Sequence, residues 1–81
     1  MRLYGPFNDP AALGRARTDV RDLANKHGLQ VVLKAIAREL FAEADDNDDD
    51  GCLLAASDLR NAAATVDMAF GVVVGMERAQ A

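Results

Sequence analysis

Residues 29–44 read LQVVLKAIARELFAEA and run straight into Asp45-Asp46-Asn47-Asp48-Asp49-Asp50-Gly51. In the first stretch Leu29, Val32, Leu33, Ile36, Ala37, Leu40, Phe41 and Ala44 recur at helical spacing and cover nearly half the helix circumference. So broad an apolar arc needs two neighbours, which makes a helix over about 29–45 the centre of the fold. The second stretch crowds five carboxylates into six positions and closes on a glycine. It predicts an acidic loop over 45–51.

A helix is expected on either side of this pair. Upstream, Asp9-Pro10 reads as a cap followed by a proline at the first helical position. Leu13, Ala16, Val20, Leu23 and Ala24 then form one stripe, and Gly28 ends a first helix over about 10–27. Downstream, Asp50 is the expected cap of a third helix over about 52–70. Its stripe is Cys52, Ala55, Ala56, Leu59, Ala62, Ala63, Val66, Ala69 and Phe70. Those residues are mostly small, so the third helix can approach the second closely. Gly71 reads as a break, after which Val72–Val74 either extends helix 3 weakly or makes a short β segment, and residues 1–9 and 71–81 read as short irregular segments with a turn at Gly5-Pro6. The expectation is one all-α domain over 1–81, a compact three-helix bundle with helix 2 central. The alternative architecture pairs the second and third helices of two chains into a four-helix bundle.

Composition narrows the function classes. The chain has 81 residues and is 51% apolar, but sixteen of its residues are alanine, and it has no Trp and one Tyr. A core this lean is modestly stable alone, so a homodimer covering a second face is a natural expectation. One cysteine excludes an internal disulfide framework. No signal peptide is visible and no apolar run approaches a membrane span, so a cytoplasmic setting is expected, with no membrane partner. The net charge of −4 hides an asymmetry: residues 1–38 sum to +4 and residues 39–81 to −8. A generic nucleic-acid binder is basic throughout, so direct contact with DNA or RNA is not expected.

The acidic run also bears a metal-ligand test. With Asp46 at position 1, Asp48 and Asp50 fall at positions 3 and 5, Gly51 at 6 and Leu53 at 8. This resembles the first half of an EF-hand loop, and the resemblance implies calcium held by Asp46, Asp48, Asp50 and Asp58. The closing position is Ser57, and Asp58 follows one residue late. A solvated acidic loop is the plainer alternative. Carboxylates at the C-terminal end of a helix oppose its dipole, so either the loop is loose or a cation or basic partner sits beside it.

The remaining candidates read as structural. Arg15, Arg17 and Arg21, with Lys26 and His27, could meet phosphate, but Arg15–Asp19 and Asp22–Lys26 have the spacing of ion pairs along a solvent face. His27 suits the end of helix 1, and Cys52 reads as a small core residue. Glu39 and Glu43 lie four apart on helix 2 but have no matching carboxylate helix. No phosphate loop, nucleophile elbow or catalytic pair is present, so no enzyme and no cofactor are expected.

These readings converge on a small acidic interaction protein. Asp45, Asp46, Asp48, Asp49 and Asp50 are the expected contacts to a basic surface of a partner macromolecule. Val31, Leu54 and Met68 point away from the apolar stripes and are the expected oligomer or partner contacts. In size and charge the chain is similar to small acidic phage proteins that block nucleic-acid-binding machinery, anti-CRISPR inhibitors among them. The alternatives are a calcium-binding module at 46–58 and a homo-oligomeric assembly protein.

Overall fold

The computed structural model describes residues 9–80, and every element among them is helical: α1 (Pro10–His27), α2 (Leu29–Asp49) and α3 (Leu53–Gln80). The lead-in before Asp9, with its expected Gly5-Pro6 turn, lies outside the described residues, as does Ala81. The start of α1 follows the sequence closely. The Asp9 carboxylate accepts from the backbone N–H groups of Ala11 and Ala12 at 3.1 and 3.2 Å, and Pro10 occupies the first turn, where a missing N–H costs nothing.

One residue joins α1 to α2. Gly28 has φ 93° and ψ 145°, a region closed to side chains with a Cβ, and its N–H reaches the Ala24 carbonyl at 2.8 Å. Its own carbonyl accepts from Val32, so a single glycine ends one helix and starts the next. The α2–α3 connection is a different device. Gly51 takes φ 81°, its N–H binds the Asp48 carbonyl at 3.0 Å, and the Cys52 N–H binds the Asn47 carbonyl at 2.8 Å. Those two bonds make a Schellman motif, which ties off the carbonyl end of α2 and reverses the chain within three residues.

Reversal makes α2 and α3 an antiparallel pair, as the cross-links require: Lys34 meets Asp67, and Arg60 meets Asp45 and Asp48. Their seam is built on alanine. Ala37 and Ala44 on α2, and Ala56 and Ala63 on α3, lie seven residues apart in each helix and are 0–1% exposed. Val32 and Leu59 complete the buried core among the described residues. The expected close approach of helices 2 and 3 thus rests on four methyl groups, and among the described residues no large side chain is fully buried.

The third helix is longer than its sequence suggests. Gly71 does not end it, and α3 continues to Gln80, so of the two alternatives for Val72–Val74 the helical extension holds and the expected irregular segment over 71–80 does not form. The inward face explains this: Ala56, Leu59, Ala63, Val66 and Phe70 pass into Val73 and Val74 at unbroken helical spacing. Gly71 faces solvent, where it lowers helix propensity without interrupting the packing.

Helix α2 packs on both α1 and α3, while α1 and α3 make no close approach. The central role expected for helix 2 holds, but α1 buries none of its residues. Its stripe stays open to solvent, with Leu13 64% exposed and Val20 and Leu23 above 40% or at it. The cause is the connection: antiparallel helices need about two to five linking residues to lie side by side, and one glycine cannot fold α1 back along α2.

Two substitutions check this architecture in thermal melts. A Cβ at Gly71 meets nothing within 4 Å, so Gly71→Ala is expected to stabilise by about 0.5–1 kcal/mol. Ala63→Leu wedges the alanine seam and is expected to destabilise by roughly 1–3 kcal/mol, or about 4–8 °C in Tm per kcal/mol at this chain length. A destabilising Gly71→Ala would mean that α3 does not run through that position.

Candidate functional site

The acidic run proves to be mostly helix. Asp45, Asp46, Asp48 and Asp49 form the last turn of α2, and Asp50 is its C-cap with φ −81° and ψ −2°. The expected loop over 45–51 therefore shrinks to Asp50–Cys52. Asp50 does not cap the third helix as expected: the Cys52 carbonyl accepts from Ala56 at the start of α3. Cys52 itself is exposed in the turn, which corrects its expected place in the core.

Helical geometry sorts the carboxylates into two sets. Asp45 and Asp48 are three residues apart on the flank facing Arg60, whose guanidinium donates to Asp45 Oδ1 at 3.1 Å and to Asp48 Oδ2 at 2.8 Å. The hydrogen bond to Asp48, then that to Asp45, pushes the Arg60 guanidinium above its ordinary value. A raised value in a base contributes stability at every pH below its unfolded value and loses it only above that. Arg60 therefore stays charged at any pH at which the fold is assayed. Asp46 and Asp50, four residues apart, turn away from that flank, while Asp49 follows Asp45 by four residues and adjoins it; none of the three makes an ion pair among the described residues.

Arg60 resolves the electrostatic problem that the sequence posed. No basic residue occupies the last turn of α2, so its carboxylates face the negative end of the helix dipole. A cation is delivered across the seam from α3 instead. The Asn47 side chain helps by donating to the Glu43 carbonyl at 2.8 Å. A second cross-link on the same flank joins Lys34 Nζ to Asp67 at 2.7 Å, with the ammonium 4.9 Å from the centre of the Phe70 ring.

The carboxylates of the EF-hand-like alternative, Asp46, Asp48, Asp50 and Asp58, do not converge in this structure. In a helix Asp46 and Asp48 diverge, Asp48 is engaged by Arg60, and Asp58 is exposed on α3. Among the described residues no three His, Cys, Asp or Glu side chains converge to hold a metal ion. Gly51, which fits position 6 of an EF-hand loop, serves the Schellman motif here. The expected pairs Arg15–Asp19 and Asp22–Lys26 are also not closed, in keeping with the small gain available to exposed ion pairs.

Leu54 and Met68 are both strongly exposed, but fourteen residues of α3 separate them, about 21 Å at 1.5 Å per residue. Leu54 belongs to the acidic end, with Leu53 beside it, and Met68 lies far along the outer face. Val31 lines a groove of about 260 Å³ between α1 and α2, together with Leu23, His27, Val32, Ala35, Ile36 and Glu39. The three residues expected to share a contact thus occupy three places. Arg60 and Lys34 were not singled out from sequence, although Arg60 stands out as one of two cations in residues 39–81.

Two measurements follow. Arg60→Gln is expected to lower Tm by a few degrees at low salt, an effect that Asp45→Asn with Asp48→Asn in the same chain reverses and that high salt shrinks. Excess calcium is expected to raise Tm no more than excess magnesium does. A saturable rise with calcium alone would restore the EF-hand-like reading.

Comparison with protein-family models, with curated proteins and with solved structures finds no match for this chain.

Proposed function

We propose that the protein is a non-enzymatic interaction module that sets the α2–α3 end of its hairpin on a basic surface of a partner protein. The observation that carries this reading is that Asp46, Asp49 and Asp50 make no ion pair among the described residues and stand at the C-terminal end of α2, just ahead of Leu53 and Leu54. Leu53 is 65% and Leu54 84% exposed. Apolar anchors rimmed by one sign of charge suit a protein surface better than a free ion: the leucines supply contact area and the carboxylates steer and orient. Arg60 refines the five-carboxylate expectation, because Asp45 and Asp48 already have a partner. Blocking a surface that binds nucleic-acid phosphates is one activity such an end supports, in line with the likeness to small acidic phage inhibitors.

The test has two stages. A partner is captured from lysate with the full chain, purified, and titrated calorimetrically against the wild type and the triple variant Asp46→Asn, Asp49→Asn and Asp50→Asn. The expected result is an affinity that falls with salt and weakens about tenfold or more in the triple variant, at unchanged Tm. Leu54→Ser is expected to weaken the same complex. A partner that binds the triple variant as tightly as the wild type would contradict the proposal.

A further inference from the structure

The open stripe of α1 and the groove beside it raise a separate question, since both stay largely uncovered among the described residues. The groove floor is Val31, Val32, Ala35 and Ile36 of α2, and Glu39 stands at its far end. Continuing by helical spacing, the same face of α2 becomes acidic through Glu39 and Glu43. Helix α1 has the opposite character. Its stripe of Leu13, Val20 and Leu23 is bordered along one edge by Arg17 and Arg21, four residues apart, as Glu39 and Glu43 are. At 18 and 21 residues, α1 and α2 are about 27 and 32 Å long, so one can lie along the other. The one-residue link through Gly28 prevents this within a single chain.

We infer that the occupant of this face is α1 of a second copy of the same chain. Each α1 lies antiparallel in the groove of the other molecule, the Leu23 end of its stripe on Val31, Ala35 and Ile36 and its Arg21 and Arg17 against Glu39 and Glu43. The exchange is reciprocal and closes on two copies, as a two-fold interface requires. It covers an amphipathic helix that otherwise exposes its whole stripe, and it uses charges of opposite sign already present on the two surfaces. Leu53 and Leu54 lie beyond the end of α2 and stay outside this contact.

Sedimentation equilibrium of the full chain over a wide concentration range tests this. The expected species is a dimer of about twice the 8.6 kDa chain mass. Leu13→Asp with Leu23→Asp changes residues exposed in the isolated chain, so helicity by circular dichroism is expected to persist while the dimer dissociation constant weakens about 100-fold or more. Arg17→Glu with Arg21→Glu is expected to weaken it as well, and adding Glu39→Arg with Glu43→Arg to restore it. A wild-type chain that stays monomeric at roughly 100 µM would overturn the proposal. So would a dimer that survives the Leu13 and Leu23 changes but is lost on Leu54→Asp with Met68→Asp.

Discussion

The alanine seam between α2 and α3 is the constraint on which the rest of this molecule depends. Methyl groups at Ala37, Ala44, Ala56 and Ala63 leave no room for larger side chains between the two helices, so the backbones themselves set the distance. Close approach brings Arg60 within hydrogen-bond reach of two α2 carboxylates and Lys34 within reach of Asp67. It also determines the turn. Two helices this near need a tight reversal, and Gly51 in a left-handed conformation supplies one.

A seam of methyl groups has an energetic consequence. Each buried alanine removes little apolar area from water, so the pair gains less than a leucine-rich seam of equal length. Large apolar side chains are displaced outward: Leu53, Leu54, Met68, Val72 and Met76 all lie on exposed surface of α3. Helix α1 adds its own open stripe, because Gly28 redirects the chain without giving it length to fold back. A chain with this distribution is suited to contact other surfaces, and its charge is separated in the same way. The basic α1 and the acidic end of the hairpin lie on different elements and do not cancel.

Much of this was legible in the sequence, for definite reasons. Asp9-Pro10 and Gly28 mark helix ends through local chemistry, which depends on neighbours a few residues away. The apolar arc of helix 2 identified the central element because periodicity survives any tertiary arrangement. What was misread depended on contacts across the seam. Asp45 to Asp49 look like a loop because a helix should not end in carboxylates, and only Arg60, arriving from α3, makes that ending tolerable. Gly71 looks like a stop because propensity counts the glycine, whereas the packed face from Phe70 to Val73 and Val74 outweighs it. Cys52 fell on an extrapolated stripe one residue before the helix began. The open state of α1 could have been inferred from the single residue, Gly28, between the two helices, since that link is too short for an antiparallel hairpin.

Hydrogen exchange across a range of protein concentrations tests most directly whether the alanine-seamed hairpin is the stable unit and α1 depends on a second molecule. Amides of α2 and α3 around Ala37, Ala44, Ala56 and Ala63 should be strongly protected at every concentration. Those of α1 should exchange rapidly in dilute solution and become protected as the concentration rises. Protection of α1 equal to that of the hairpin in dilute solution would contradict this, because it would mean that α1 is packed within its own chain.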